Sequence, residues 1–567
     1  MKKHKKIFIF LLLFSFIIGL SSCDITLEND DIKVVEEKRN FTNFAPDYDI
    51  ESNTLTTYFI DDGIIPYMDV VTFFEELNGF FDTDNIYFSF NKFFKQVVLS
   101  YSGLGIRLRT IFNFKNDNIT LDDAYSLELT KQSSTTDYSR LLRTVDSDSN
   151  KGYETVRFEC KDFDYNFYYY ENKVLIPFSL LNFIFCSVNY YNIYYNGEDF
   201  YGDYLIIQND NNLNIVYKKE FVGLEATKEE RLDNYNLMRF IMHYFYGLGA
   251  KDKEFEEKYK EEYLSTDPKI YTKAEFEFIN QYLNELHSGV IHTPYAIDND
   301  SFDRTGLYGE NLLNTRDVTT LLRNNRKNTF GENGPDAVRF YNDLAIITFD
   351  GFETGENEFI FDDNGNVKED AYLYDTFYLF KYAFEKIEEK GNIKSVIFDV
   401  SLNGGGNLAA LIRTLAFLTN NGINIASSNC LNGRIISSQY KVDIDEDGSY
   451  AQNSYENKYD FYVLSSIYTY SSANIFSANC LYNNYATMIG QKSGGGACSI
   501  IPIVMPDGLT IQISGPNQMI IIKEEDLENL TPTYIENGVD FSENNKIDYN
   551  YFYDDAYLYE FINNIKH

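Results

Sequence analysis

The chain has no tryptophan, and its 567 residues include only ten prolines, six cysteines and five histidines. Positive charge is the scarcer sign, with Lys+Arg 49 against Asp+Glu 86 and a net charge of −37. That balance excludes nucleic acid as a partner, because binding phosphates needs clustered Lys and Arg. It suits a soluble, surface-exposed protein. The missing tryptophan, beside 48 Tyr and 47 Phe, reads as a residue bias without functional weight. Setting Cys23 aside leaves Cys160, Cys186, Cys430, Cys480 and Cys498, an odd number whose spacing fits no metal motif. Their apolar company (Ile184-Phe185-Cys186) predicts buried free thiols, with one disulfide left open.

The hydrophobic content of 44% is ample for sizeable cores, and the length predicts two or three domains. Lys2, Lys3, Lys5 and Lys6 precede an apolar run, Ile7 to Leu20, which is short for a membrane span and reads as a signal segment. Leu20-Ser21-Ser22-Cys23 resembles a bacterial lipobox, which implies lipidation of Cys23, removal of residues 1–23 and an extracytoplasmic, membrane-anchored lipoprotein at the cell surface. An ordinary secretory signal with a chance cysteine is the alternative.

Residues 24–49 are polar and charged and read as a linker, with one strand-like stretch near Ile32. Residues 50–226 read as a β-rich accessory domain, in which short Tyr, Phe, Ile and Val runs alternate with Asp, Asn and Gly turns. Within it, Gly63 to Val70 and Lys173 to Leu180 share an apolar–Pro–aromatic strand leading into a helix-like stretch, the pattern of a small duplicated β–α unit. From residue 227 to 567 amphipathic helices come first. Strands and helices then alternate: Leu344 to Phe349, Tyr372 to Lys390, Ser395 to Val400, Leu408 to Asn420, Tyr459 to Leu464, Ser472 to Asn483 and Ala486 to Ile489. That alternation predicts an α/β domain with a largely internal sheet. The acidic runs Asp443 to Gly448 and Asp362 to Gly365 read as solvated hairpin turns; the first opens like a calcium loop but has Ser454 where a bidentate Glu is needed.

The chemistry is concentrated in two places. The apolar strand Ser395 to Val400 runs into Asn403-Gly404-Gly405-Gly406 and then a helix, a turn that can present backbone N–H groups to negative charge. Ser471-Ser472-Ala473 sits at a second strand-to-helix junction. A nucleophile beside a donor-rich turn is the minimum for acyl transfer.

Ile397-Phe398-Asp399-Val400-Ser401-Leu402-Asn403-Gly404-Gly405-Gly406 resembles the "DLRGNGGG" turn of the tail-specific (C-terminal processing) serine proteases, the wider family that includes the tricorn core protease. Ser471 to Phe476 lines up with that family's "SAxEIF", Ala486 to Gly490 with "ATxIG", and Ile535 to Asp540 with "xEgxGVxPD". The resemblance covers about 227–567 and implies a tail-specific-protease/tricorn-core-like (crotonase-like β-β-α) catalytic domain. No cofactor or metal is implied, and the implied partner is a protein or peptide substrate. Tyr295 to Val338 is too short and polar for the PDZ insertion of many members.

By this resemblance Ser471 is the nucleophile, with Ser472 as the alternative. The oxyanion hole would use Gly404, Gly405 and the N–H of Ser472. Best-known members carry a lysine in "GExTFGKG"; here Gly496 holds that position and Lys492 comes four residues early, so a Ser/Lys dyad is not expected. Other branches use a histidine ahead of the sheet and a late glutamate. With His4 in the leader, His567 at the end and His243 on a helix, the base is His287, in Glu285-Leu286-His287-Ser288, or His292. Glu536 would orient it. Ser401 in place of the family Arg, Asn474 in place of its Glu and the missing lysine support a rival expectation, a surface lipoprotein on a degenerate protease fold that binds without turnover.

Overall fold

A computed structural model describes residues 32–103, 107–131, 136–451, 453–523 and 526–565. Cys23 and the leader lie outside the described residues.

Two sheets form most of the N-terminal half. The first has seven strands in the order Tyr168–Tyr170, Lys173–Pro177, Tyr67–Asp69, Thr54–Ile60, Val34–Asn43, Phe200–Tyr204, Tyr191–Tyr195. The second is a five-stranded antiparallel meander from Ile86–Asn91 to Val156–Phe158. The repeated β–α pattern is visible here. Tyr67–Asp69 leads into helix Val70–Glu76, Lys173–Pro177 leads into Phe178–Leu181, and the two strands pair antiparallel.

The segment 24–49 is not a simple linker. Val34–Asn43 is a ten-residue strand inside the seven-stranded sheet, antiparallel to Thr54–Ile60 and parallel to Phe200–Tyr204. Its exposed polar residues Glu36, Lys38 and Asn40 alternate with partly buried ones, and Phe41 enters the core. A half-exposed strand carries polar side chains on one face, so its composition resembled a tether.

The C-terminal half is α/β. Its central sheet runs Val338–Tyr341, Leu344–Thr348, Ser395–Asp399, Asp460–Ser465, Thr487–Gly490, and every pair after the first is parallel. The strands are buried on both faces. Ala345, Ile347, Val396 and Phe398 face helices Thr376–Lys390, Leu408–Leu415 and Ser472–Tyr482, while Leu344, Ile346 and Ile397 face helices Glu310–Phe330 and Asp555–Ile565. Strand ends and helix starts follow local chemistry. The Asp375 carboxylate accepts from the N–H groups of Phe377 and Tyr378, and Gly391 ends that helix in the left-handed region.

A second seven-stranded sheet centres on the long strand Thr510–Ile521. It pairs with Gly289–His292, Ile423–Asn429, Cys498–Val504 and Thr533–Tyr534, and the sheet continues through Arg434–Val442 to Leu142–Ser149. One of its strands thus comes from the region read as the accessory domain. Helices Lys228–Tyr244 and Asp252–Tyr263 likewise share one core with Phe41, Phe112, Phe185 and Ile511. The packing therefore has no break at 226/227.

Cys160, Cys186, Cys480 and Cys498 are buried free thiols and Cys430 is an exposed one.

Arg231 ties these parts together. Fully buried, it donates to the Tyr263 carbonyl at 2.9 Å and to Glu275 at 3.0 Å, pairs with Asp507, and lies 3.7 Å over the Tyr271 ring. Asp507 opens the turn into Thr510–Ile521, so the helices are anchored to the strand that pairs with the His287 segment. Arg231→Met is expected to leave two buried carboxylates without their cation and to cost roughly 3–5 kcal/mol, measured by urea unfolding.

Candidate active site

Ser471 stands where strand Asp460–Ser465 has ended and helix Ser472–Tyr482 begins. The intervening loop is clamped to the glycine turn: Ser466 Oγ donates to the Ser401 carbonyl at 2.5 Å, Thr469 Oγ1 to the Val400 carbonyl at 2.8 Å, and the Tyr470 N–H to the Asn403 carbonyl at 3.2 Å. On the other side the Ser471 N–H donates to the Gly495 carbonyl at 2.9 Å. Between these clamps Ser471 is held at φ 55°, ψ −124°. A side-chain-bearing residue there is strained by about 1–3 kcal/mol, and such strain gathers at functional sites. An ordinary N-cap serine has extended backbone and binds the first helical N–H groups with its oxygen; Ser471 makes no such capping bond. The Ser472 hydroxyl is occupied, donating to the Gly406 carbonyl at 2.7 Å. Of the two serines, Ser471 is the one with a hydroxyl left for chemistry.

The glycine turn lies against it. Gly405 has φ +112°, and a Cβ there would come within 2.6 Å of Ser471 Cβ and 3.0 Å of the Ser472 nitrogen. Only glycine permits that approach. The Gly405 N–H is not a free oxyanion donor, however, since it donates to Asn403 Oδ1 at 2.9 Å while Asn403 Nδ2 donates to the Phe349 carbonyl at 3.1 Å. The N–H groups of Gly404 and Ser472 meet no protein acceptor among the described residues. Ser401, where the family Arg was expected, braces the turn differently: its hydroxyl donates to Asp399 at 2.6 Å and lies 3.1 Å from the Tyr553 hydroxyl.

His287 reaches the site through Tyr470, the residue before the serine. The two rings pack edge to face with centroids 4.7 Å apart. The imidazole is buried, its Nδ1 has no hydrogen-bond partner, and burial lowers its pKa to about 4, so it is neutral at pH 7. Its main chain is held by Glu285, whose carboxylate accepts from the His287 N–H at 2.7 Å and from the Ser288 hydroxyl. Burial, with the Glu536 charge adding, raises the Glu285 pKa.

Glu536 is close by but does not bond the imidazole. Its carboxylate accepts from the Ala497 N–H at 2.7 Å and its carbonyl from the Gly496 N–H at 3.0 Å. The expected Ser–His–Glu chain is therefore not closed at its acid end. His292 faces elsewhere, with Nε2 3.1 Å from the Ile207 carbonyl and its ring 6.0 Å from that of Tyr217. It is thus engaged with the N-terminal half.

Gly494-Gly495-Gly496 explains the lost lysine. A Cβ at Gly496 would overlap the Tyr470 ring, and one at Gly495 would overlap the Glu536 carbonyl. Tyr470 thus fills the room that a longer residue at 496 would need. Burial, with the charges of Glu285 and Glu536 adding, pushes the Tyr470 phenol up. Lys492 is exposed. Asn474, where a Glu was expected, donates to the Ile535 carbonyl at 2.9 Å and accepts from the Ser493 hydroxyl at 2.7 Å, pinning the nucleophile helix to the Glu536 segment. Sequence reasoning missed Tyr470 and used Glu285 only as a motif match. Three consecutive glycines near a candidate serine were the signal that something bulky packs over them.

An α/β sheet that delivers a strained serine beside a glycine turn is the scaffold of serine-nucleophile hydrolases. Residues 344–533, the segment that bears the turn and Ser471, match the model of peptidase family S41. His287 and Glu536 both lie outside the matched residues. No curated protein matches the chain. Among solved structures, a candidate peptidase from Parabacteroides merdae is similar at 17% identity and TM-score 0.37, over 55% of this chain and 88% of that one. A lipoprotein from Streptococcus agalactiae is similar at 12% identity and TM-score 0.31, over 55% and 89%. A photosystem II D1 C-terminal processing protease is similar at 16% identity and TM-score 0.25, over 36% and 42%.

Two outcomes follow from this packing. Gly496→Ala, at φ +74° and against the Tyr470 ring, is expected to cost roughly 1–3 kcal/mol, and Tyr470→Ala in the same chain to recover part of it. A double-mutant cycle measured by urea unfolding reads that coupling. The second concerns acidity. Between an unfolded pKa of 6.5 and the folded value of about 4, the unfolded chain takes up a proton at His287 that the native chain does not, so this group's share of stability is lost as pH falls. Unfolding at pH 7 and pH 5 is expected to show about 2 kcal/mol less loss in His287→Phe than in the wild type.

Proposed function

We propose that the protein is a serine peptidase acting on extracytoplasmic proteins or peptides, anchored to the membrane by a lipid on Cys23. The observation that carries the catalytic part is the uncapped hydroxyl of Ser471, held at φ 55° beside the unengaged N–H groups of Gly404 and Ser472. Ser471 Oγ attacks the scissile carbonyl and passes its proton to the neutral imidazole of His287. The carbonyl oxygen, now negative, is received by the two N–H groups, donors worth roughly 3 kcal/mol each in such reactions. Collapse expels the amine, which takes the proton from His287, and water then releases the acyl group by the same steps in reverse. The hydrogen bond between nucleophile and base is often long before substrate binds and tightens in the complex. Glu285 acts through the main chain of His287, and Glu536 through Ala497 and Gly496. The match to a peptidase family supports a protein or peptide substrate, and the lysine-rich leader ending at Leu20-Ser21-Ser22-Cys23 supports the anchor.

A second reading keeps the fold and drops the turnover, leaving a surface protein that binds peptides. The His287 ring without a carboxylate partner favours it.

A fluorophosphonate probe separates the two. The peptidase is expected to label in the wild type and in Ser472→Ala, not at all in Ser471→Ala, and at least about a hundredfold more slowly in His287→Ala. Labelling should stay flat between pH 6 and 8 and fall as pH drops towards 4, where the imidazole takes its proton. No labelling across that range would leave the binding reading standing, and labelling that survives Ser471→Ala would overturn the assignment of the nucleophile.

A further inference from the structure

A cavity of about 660 Å³ opens where the N-terminal sheet and helix Lys228–Tyr244 meet the 504–507 turn, and none of the residues of the serine site lines it. That volume lies in the range of sites for small organic molecules. Its walls are aromatic, with Phe59, Phe178, Tyr195 and Tyr295 among them, and its lining includes two exposed apolar side chains, Ile64 and Leu224.

The lining is rich in carboxylates, and most of them are already satisfied. Glu37 pairs with Arg39, Asp507 with Arg231, and Glu230 accepts from the Thr227 N–H. Asp233 is different. It is buried, it accepts from the Ser179 hydroxyl at 2.9 Å, and it has no ion pair among the described residues. The neighbouring charge that bears on it is Glu229, of the same sign. Burial accordingly holds its carboxyl up at about 7. Tyr295, also in the lining, has a buried hydroxyl without a hydrogen-bond partner. Buried polar groups are normally satisfied, and exceptions inside a cavity ask what completes them. A purely apolar guest would leave the Tyr295 hydroxyl unsatisfied and would place the Asp233 carboxylate against hydrocarbon, which is costly. An anion would meet a lining that is net acidic. A cation with several N–H donors completes Asp233, and a flat ring suits the aromatic walls.

We propose that this cavity binds an aromatic ammonium ion, with Asp233 as its counter-ion and the aromatic side chains around its ring. The inference uses no residue of the serine site and stands whether or not Ser471 is catalytic.

The missing tryptophan makes the test direct, because an indole ligand can be excited against a silent protein background. Tryptamine, neutral 3-methylindole and anionic indole-3-propionate would each be titrated with the intact protein and with Asp233→Asn, following indole fluorescence. Tryptamine is expected to bind saturably and at least about tenfold more tightly than 3-methylindole, the preference a buried charged hydrogen bond supplies, and indole-3-propionate more weakly than either. Asp233→Asn should erase the preference for tryptamine. Absence of saturable tryptamine binding, equal binding of the three ligands, or an undiminished preference in Asp233→Asn would each overturn the proposal. The ligand series on the wild type decides the matter even if the variant does not fold.

Discussion

Around Ser471 three stretches of backbone meet with no side chain between them, and the rest of the site depends on that contact. Gly405 closes on Ser471 from the turn after strand Ser395–Asp399, and Gly495 receives the Ser471 N–H from the opposite side. Thr469 and Tyr470 bond back to Val400 and Asn403. A residue at φ 55° would relax to an ordinary conformation if any of these clamps were loose. The positive-φ serine is thus a product of packing between two consecutive crossovers of the parallel sheet, and its hydroxyl makes no capping bond to the helix it precedes.

The same close packing accounts for the departures from the family pattern. With Tyr470 lying over Gly496 there is no volume for a lysine at 496. The tyrosine carries the contact to His287 instead, so the imidazole enters the site on an aromatic face. Ser401 and Asn474, two further departures, are both fully bonded in place: one braces Asp399 beside Tyr553, the other pins the nucleophile helix to the Glu536 segment. They read as a different bracing of one scaffold. Burial keeps the imidazole neutral and leaves its Nδ1 without a partner.

The N-terminal half is more than an appendage. Its strand Leu142–Ser149 closes the sheet built on Thr510–Ile521, and its core is continuous with helices Lys228–Tyr244 and Asp252–Tyr263. The His287 segment follows those helices and pairs with Thr510–Ile521, so His287 is carried by the joint between the halves while Ser471 belongs to the α/β sheet.

Much of this was legible in the order of residues. Alternation of apolar strands with amphipathic helices located the strands Leu344–Thr348, Ser395–Asp399 and Asp460–Ser465 and helix Ser472–Tyr482 to within a residue or two, because strand and helix periodicities are local properties. The glycine turn and the serine were legible for the same reason: each is a short motif whose conformation its own residues dictate. Val34–Asn43 was not, because one polar face makes a half-exposed strand look like a tether. Only the tertiary structure distinguished Ser471 from Ser472, His287 from His292 and Gly404 from Gly405 by what each is bonded to. Each of those choices turns on where a hydroxyl, a ring nitrogen or an N–H finds its partner, and the partners lie 65 or more positions away for Ser472 and His292. Partnerships over that distance exist only once the chain has packed.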